Sequence, residues 1–203
     1  MATKKATVEA ETAKGSRGDR RRDRILNGFR KCIIHKGYSK TTLRDVAKAA
    51  DMSASHLLYY FSGKDAILQH YFDNVSERIR QRIDSFRDEE PERQFELLAD
   101  LFFAGRGITN SETGFMLECF GVAVHDPQLH NEKAELDRFC KDYLQCLFAQ
   151  LPRTRDDAPD HAEIAYSLLI GLRTAAFFDQ RLSLSNARRL FREGVMRQAG
   201  LRA

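Results

Sequence analysis

The chain lacks a long apolar run. No stretch approaches the roughly 18 apolar residues that a membrane-spanning helix needs, so no membrane partner is expected. The first twenty residues hold no apolar segment and do not read as a secretory signal. Cysteine is sparse: Cys32, Cys119, Cys140 and Cys146 are scattered without metal-ligand or disulfide-framework spacing. That usage points to a reducing, cytoplasmic setting. Only four prolines occur, and Pro91, Pro127, Pro152 and Pro159 all fall where an apolar period stops. No nucleophile motif, Gly-rich phosphate loop or His and Glu pair at metal spacing appears. Catalytic residues, a metal site and a cofactor are therefore not expected. No strand alternation or internal repeat is visible.

What is present is helical periodicity, and it predicts an all-α protein of about nine helices. A first helix is expected from about Asp19 to Lys36, with Ile25, Leu26, Phe29, Cys32 and Ile33 as its buried stripe and Gly37 as C-cap. Residues 41–64, TTLRDVAKAADMSASHLLYYFSGK, read as two short helices joined by a tight turn. Thr41 or Thr42 can cap the first, with Asp45 completing an acidic capping box at Thr42. Leu43, Val46, Ala47 and Ala50 form its apolar face. Ser53 re-caps after Asp51-Met52, and Leu57 and Phe61 point back at the first helix. Further helices are expected over about 65–87, 91–105, 114–125, 128–151, 160–181 and 185–199, with loops at 106–113 and 152–160. The domain reading is a flexible tail at 1–18, a helix-turn-helix domain at 19–64, and a helical body at 65–203.

The hairpin pattern alone is matched equally by an ordinary pair of amphipathic helices with a solvated face. Charge distribution separates the two readings. Residues 1–64 carry 15 Lys and Arg against 6 Asp and Glu, a net of +9, whereas the remainder carries 18 against 23, a net of −5. A basic third beside a helix-turn-helix is the electrostatic footprint of a DNA binder. The second short helix turns Ala54, Ser55, His56, Tyr59 and Tyr60 away from the apolar side. Such groups can meet phosphates, base edges and thymine methyls. Arg20, Arg21, Arg22 and Arg24 read either as a solvated helix start or as an arm that tracks phosphates, and arginines there oppose the helix dipole.

Residues 24–71 resemble the DNA-binding domain of TetR-family transcriptional regulators. The resemblance rests on Phe29, Gly37-Tyr38, Thr41-Thr42-Leu43-Arg44-Asp45-Val46-Ala47, Ser53, Leu57, Tyr59-Tyr60-Phe61, Lys64-Asp65 and Ile67-Leu68. Three positions depart from the usual pattern: Asp51 stands where Gly is common, Leu58 where Tyr is common, and Gly63 where Ser or Asn is common. Asp tolerates left-handed backbone better than most residues, so the turn is expected to survive. The resemblance implies a three-helix DNA-binding domain joined to a helical-bundle ligand-binding and dimerisation domain. By the same resemblance, Arg44 reaches a base edge or phosphate, and Thr42, Ser53, Tyr59, Tyr60 and Lys64 hold phosphates. Arg20 and Arg21 join them as arm contacts, and Ser55 and His56 as base readers.

In the body, Phe95, Leu98, Leu101, Phe102 and Phe103 stripe one helix, and GFMLECFGVAV reads as a helix apolar nearly all round, which belongs at the centre of a core. Plain core accounts for these stripes. The resemblance implies instead a cavity for a small hydrophobic effector, with Phe102, Phe103, Phe115, Met116, Cys119, Phe120, Phe139 and Phe177 as lining and Glu118 and Tyr143 as polar anchors. Glu118 can equally be a paired core carboxylate. The resemblance also implies a homodimer paired through the last two helices, with Leu168, Leu172, Ala175, Leu190, Phe191 and Val195 at the interface; intramolecular packing is the competing reading. The expected function is a sequence-specific regulator of a palindromic operator, a repressor released by its effector. Two alternatives remain at this level. One is a metal- or redox-responsive regulator using Cys119, His125 and His130 or Cys140 and Cys146. The other is a non-specific nucleic-acid binder.

Overall fold

The computed structural model describes residues 2–105 and 107–201, with side chains from residue 18 onward. Its helices are α1 (Ala2–Lys36), α2 (Leu43–Ala49), α3 (Ala54–Leu58), α4 (Lys64–Asp84), α5 (Pro91–Phe103), α6 (Asn110–Ala123), α7 (Pro127–Ala149), α8 (Ala158–Phe178) and α9 (Leu184–Ala199). No strand occurs among the described residues. The chain divides into two compact units, Met1–Tyr71 and Phe72–Ala203, and α4 runs through the boundary. Against an expected domain end at 64, the first unit runs to Tyr71 and includes the first two turns of α4, where the His70 ring lies 5.5 Å from Phe61.

In the first unit, Ile25 and Phe29 of α1, Val46 of α2, Leu57 of α3 and Ile67 of α4 are fully buried. Gly28 allows the close approach of α1 and α2: a Cβ there would come within 3.1 Å of the Ala50 amide nitrogen. The capping box forms as the spacing predicts. The Thr42 hydroxyl accepts from the Asp45 amide at 3.2 Å, and the Asp45 carboxylate accepts from the Thr42 amide at 2.8 Å. Ser53 caps α3 by accepting from the His56 amide at 3.1 Å. Asp51 takes the left-handed conformation at φ 54, and Gly37 ends α1 at φ 80. Helix α1 starts at Ala2, across the segment read as a tail. Residues 2–14 are rich in Ala, Glu and Lys and contain no proline, a composition that favours helix.

In the second unit, Phe95 and Phe103 of α5, Phe115 of α6, Phe148 of α7 and Phe191 of α9 are all fully buried. Helices α7 and α8 pack on one another, as do α5 and α9. Two expectations for α6 are corrected. It begins at Asn110 rather than 114, because Thr109 and Glu112 form a second capping box inside the segment read as loop. It is also not buried all round. Phe115, Met116 and Cys119 face inward, but Gly121 and Val124 are exposed, so α6 lies at the edge of the unit.

Glu112 accepts three hydrogen bonds, two from Thr109 and one from Arg78. It closes the cap of α6 and accepts from Arg78 of α4 at 2.5 Å. Burial pushes its carboxyl up, but the hydrogen bonds from Thr109 and Arg78 outweigh it and hold the group below its ordinary value. Thr109→Ala is expected to lower the stability of the second unit by about 1 kcal/mol, since it removes the cap hydroxyl. Urea melts of this variant against Ser111→Ala, an exposed neighbour outside the capping box, check this: equal midpoints would show that the box contributes nothing.

Candidate nucleic-acid interface and body cavity

The first unit presents α3 outward. Leu57 is buried while Ser55 is exposed, Leu58 is 48% exposed and Tyr59 is 82% exposed. A short capped helix thus carries an aromatic ring almost wholly in water. Tyr60 is half-buried, 5.2 Å from the Tyr59 ring and 5.5 Å from His56. Its hydroxyl accepts from Arg21 at 3.1 Å, and the Arg22 guanidinium stands 5.9 Å from its ring centroid. The exposed arginines midway along α1 are thereby brought beside the outward end of α3. Arg24 has a different task. It donates to the Ala50 carbonyl at 2.7 Å and to the Asp51 carboxylate at 3.1 Å, which pins the left-handed turn between α2 and α3.

Of the residues singled out from the sequence, Arg20, Arg21, Thr42, Arg44, Ser53, Ser55 and Tyr59 are exposed and His56 is half-buried. Thr42 and Ser53 are engaged as helix caps. Lys64 is half-buried: its ammonium donates to the Tyr38 carbonyl at 3.0 Å and lies 4.0 Å from the Tyr38 ring. Asp45 also accepts from Lys36 at 2.5 Å, so its charge is paired. Hydrogen bonds from Lys36 and then Thr42 hold its carboxyl well below the usual carboxylate range.

The second unit contains a cavity of about 70 Å³. Apolar side chains form most of its wall: Ile79 of α4, Phe102 of α5, Ile108, Met116 and Phe120 of α6, Leu136 and Cys140 of α7, and Leu169 and Ile170 of α8. Charged groups enter at Lys133, Asp137 and Arg173. Asp137 is satisfied internally, accepting from the Lys133 ammonium and from the Tyr166 hydroxyl. The Lys133 ammonium also stands 4.6 Å from the Phe120 ring centroid. Arg173 is only 6% exposed. Its Nη2 donates to the carbonyls of Ile108 at 2.9 Å and Thr109 at 3.0 Å, while Nε and Nη1 are buried without a hydrogen-bond acceptor. Burial lowers its pKa to about 10, with the Glu112 charge opposing the shift, so the guanidinium stays charged at neutral pH.

Three of the ten cavity residues named from the sequence, Phe102, Met116 and Phe120, line this space. The others lie elsewhere in the unit. Phe103 packs on Phe191 at 5.6 Å, Phe115 and Cys119 are fully buried, and the Tyr143 hydroxyl donates to Gln94. Phe139 lies beneath Arg80, Phe177 lies 5.0 Å from Phe178 and close to Gly114, and Glu118 is half-buried outside the lining. Sequence reasoning missed Arg173, Lys133 and Asp137. The signal for Arg173 was present: it is the sole charge in residues 164–178 of an otherwise apolar helix. Lys133 and Asp137 are an i,i+4 pair.

On α8 and α9, Ile164 is 55% exposed, Phe178 is 70% exposed and Leu190 is also exposed. Ala175 is exposed, and Leu168 and Leu172 are half-buried. Phe191 and Val195 are corrected: both are fully buried within the unit, on the side of α9 that packs on α5. The cysteines do not assemble with histidines. No group of three or more His, Cys, Asp or Glu side chains suited to a metal occurs among the described residues. Cys119 and Cys140 are buried and Cys146 is exposed, and burial pushes the Cys140 thiol up to about 12.

Residues 25–71 match the family model "Bacterial regulatory proteins, tetR family", and residues 91–200 match "BetI-type transcriptional repressor, C-terminal". The chain belongs to the TetR family of transcriptional regulators. Similar proteins include the probable HTH-type transcriptional regulator YttP of Bacillus subtilis, 30% identical over 32% of this chain and 31% of that protein. The match therefore spans about a third of that relative. The HTH-type transcriptional regulator BetI of Yersinia pestis is 19% identical over 63% of this chain and 69% of its own. Among solved structures, a transcriptional regulator from Rhodococcus sp. Rha1 matches with a TM-score of 0.76 at 16% identity, covering 88% of this chain and 94% of that one. One from Saccharomonospora viridis, solved in complex with choline, matches with a TM-score of 0.75 at 18% identity, covering 86% and 94%. These structures share the fold of this TetR-family regulator.

Asp45 generates a pH prediction. A carboxyl held below its unfolded value contributes stability that is complete above about pH 4 and is lost as pH falls further. The melting temperature of the wild type is expected to drop on acidification below about pH 4 more steeply than that of Asp45→Asn. Parallel curves for the two proteins would remove Asp45 from the acid response.

Proposed function

We propose that this TetR-family regulator is a homodimeric repressor that reads a palindromic operator through α3 and lets go when a small, mostly apolar effector fills the cavity. The observation that carries the DNA reading is Tyr59, 82% exposed beside Leu58 and the arginines of α1. Within the unit the ring makes an edge contact with Tyr60 and is otherwise solvated, whereas a groove offers it phosphates and thymine methyls. Arg44, Ser55 and His56 are assigned to base edges, and Arg20, Arg21 and Tyr59 to the backbone. Thr42 and Ser53 can add their hydroxyls to phosphates while capping. Lys64 reaches a phosphate only by leaving the Tyr38 carbonyl.

One five-residue recognition helix reads few base pairs, so two are needed on a twofold axis. The exposed apolar residues Ile164, Phe178 and Leu190, with Leu168, Leu172 and Ala175 between them, are assigned to that pairing. Release follows from linkage between effector and operator. The chain passes from one unit to the other within α4, and Ile79 of the same helix forms part of the cavity wall. A filled cavity that moves this turn of α4 biases the spacing of the two heads.

Selection of bound duplexes from a random DNA pool tests the reading. The wild type is expected to enrich a palindrome, and a variant carrying Arg44→Ala and Tyr59→Ala to enrich none. Motif-free, salt-sensitive binding by both proteins would mean non-specific attachment to phosphates. The pairing has its own test: Ile164→Glu with Phe178→Glu is expected to shift sedimentation from dimer to monomer, and an unchanged dimer would place the interface elsewhere.

A further inference from the structure

The cavity holds three charged side chains, and of the three only Arg173 has buried nitrogens without an acceptor. Asp137 is matched by Lys133 and Tyr166. Arg173 is more than nine-tenths buried, and its Nε and Nη1 together carry three N–H bonds with no acceptor. The carboxylate whose charge acts on it does not bond to it. Glu112 is already spent on Arg78 and on the cap at Thr109. A buried guanidinium left in this state is a fixed, desolvated cation facing a mostly apolar space. Its natural complement is a carboxylate, which accepts several charge-assisted hydrogen bonds at once. The rest of the lining, Phe102, Ile108, Met116 and Leu169 among it, suits a short hydrocarbon or a single ring.

We infer that the effector is a small apolar carboxylic acid, bound as its anion with the carboxylate on Arg173 and the hydrocarbon part against the apolar wall. This rests on the effector-release reading above and narrows it to one chemical class. Size is a second restriction. A cavity of about 70 Å³ accommodates roughly five waters, and so a molecule of about five to ten heavy atoms. Charge is a third. The lining carries two cations and one anion, and that anion is engaged, so a quaternary ammonium such as choline meets no free countercharge.

Calorimetric titration of the full-length wild type with hexanoate and benzoate, against hexanamide, benzamide and choline, tests the class directly. The acids are expected to bind roughly 10- to 100-fold more tightly than their amides, the range of a charge-assisted hydrogen bond to a buried group. Arg173→Met is expected to erase that preference. The acid and amide comparison in wild type stands even if the variant fails to fold. Equal affinity for acid and amide, tighter binding of choline, or no binding of any acid at millimolar concentration would each overturn the carboxylate assignment. Operator affinity, read by fluorescence anisotropy on the selected palindrome, separates the two levels. Acids that bind without weakening operator affinity would leave the Arg173 site standing and sink the release reading. A different compound that releases the operator while no acid binds would do the reverse.

Discussion

Leu57 is the anchor on which the outer face of the first unit depends. A five-residue helix cannot persist alone in water, because nucleation costs more than its few hydrogen bonds return. Full burial of Leu57 in the core of the first unit supplies about 2 kcal/mol. The Ser53 cap and the Asp51 turn fix the direction in which the helix leaves. With that geometry held, Ser55, Leu58 and Tyr59 have no choice but to face outward. Arg24 belongs to the same device, since it satisfies the carbonyl of Ala50 and holds Asp51 where a glycine would otherwise be the easier residue.

The second unit solves a different problem: it encloses charge in an apolar helical body. Most of its buried polar groups are closed off in pairs. Tyr143 donates to Gln94, Tyr166 to Asp137, and Arg78 to Glu112. Each closure shields a group whose isolated burial is costly. Arg173 is the exception within the cavity wall. Its two backbone acceptors tie α8 to the start of α6, so the residue is structural on one side and unsatisfied on the other. That division is what lets a group hold the fold together and still present a binding surface.

The legible and illegible parts of the chain differ by the range of the interaction involved. Thr42 and Asp45 were readable as a cap because the pattern is local, and the same pattern at Thr109 and Glu112 was overlooked because Gly107 and Asn110-Ser111 suggested a loop. The apolar run of α6 was readable as apolar but not as an edge helix. A helix with Val124 in water has the same composition as one buried on every side. Likewise Leu190 and Phe191 are adjacent and both apolar, yet one faces out and the other lies against Phe103. Only the packing partner of α9 distinguishes them.

Local pattern alone fixes the all-helical class, the helix-turn-helix with its two caps, the basic first third, and the family. Each of these follows from local spacing, short-range hydrogen bonds or a sum of charges. The tertiary structure alone decided which aromatics line a cavity, which side of α9 is buried, and that Arg173 is stranded beside Glu112 without bonding to it. Those outcomes depend on where helices distant in sequence cross. A guanidinium's partners can be counted only when every carbonyl and carboxylate around it has a position.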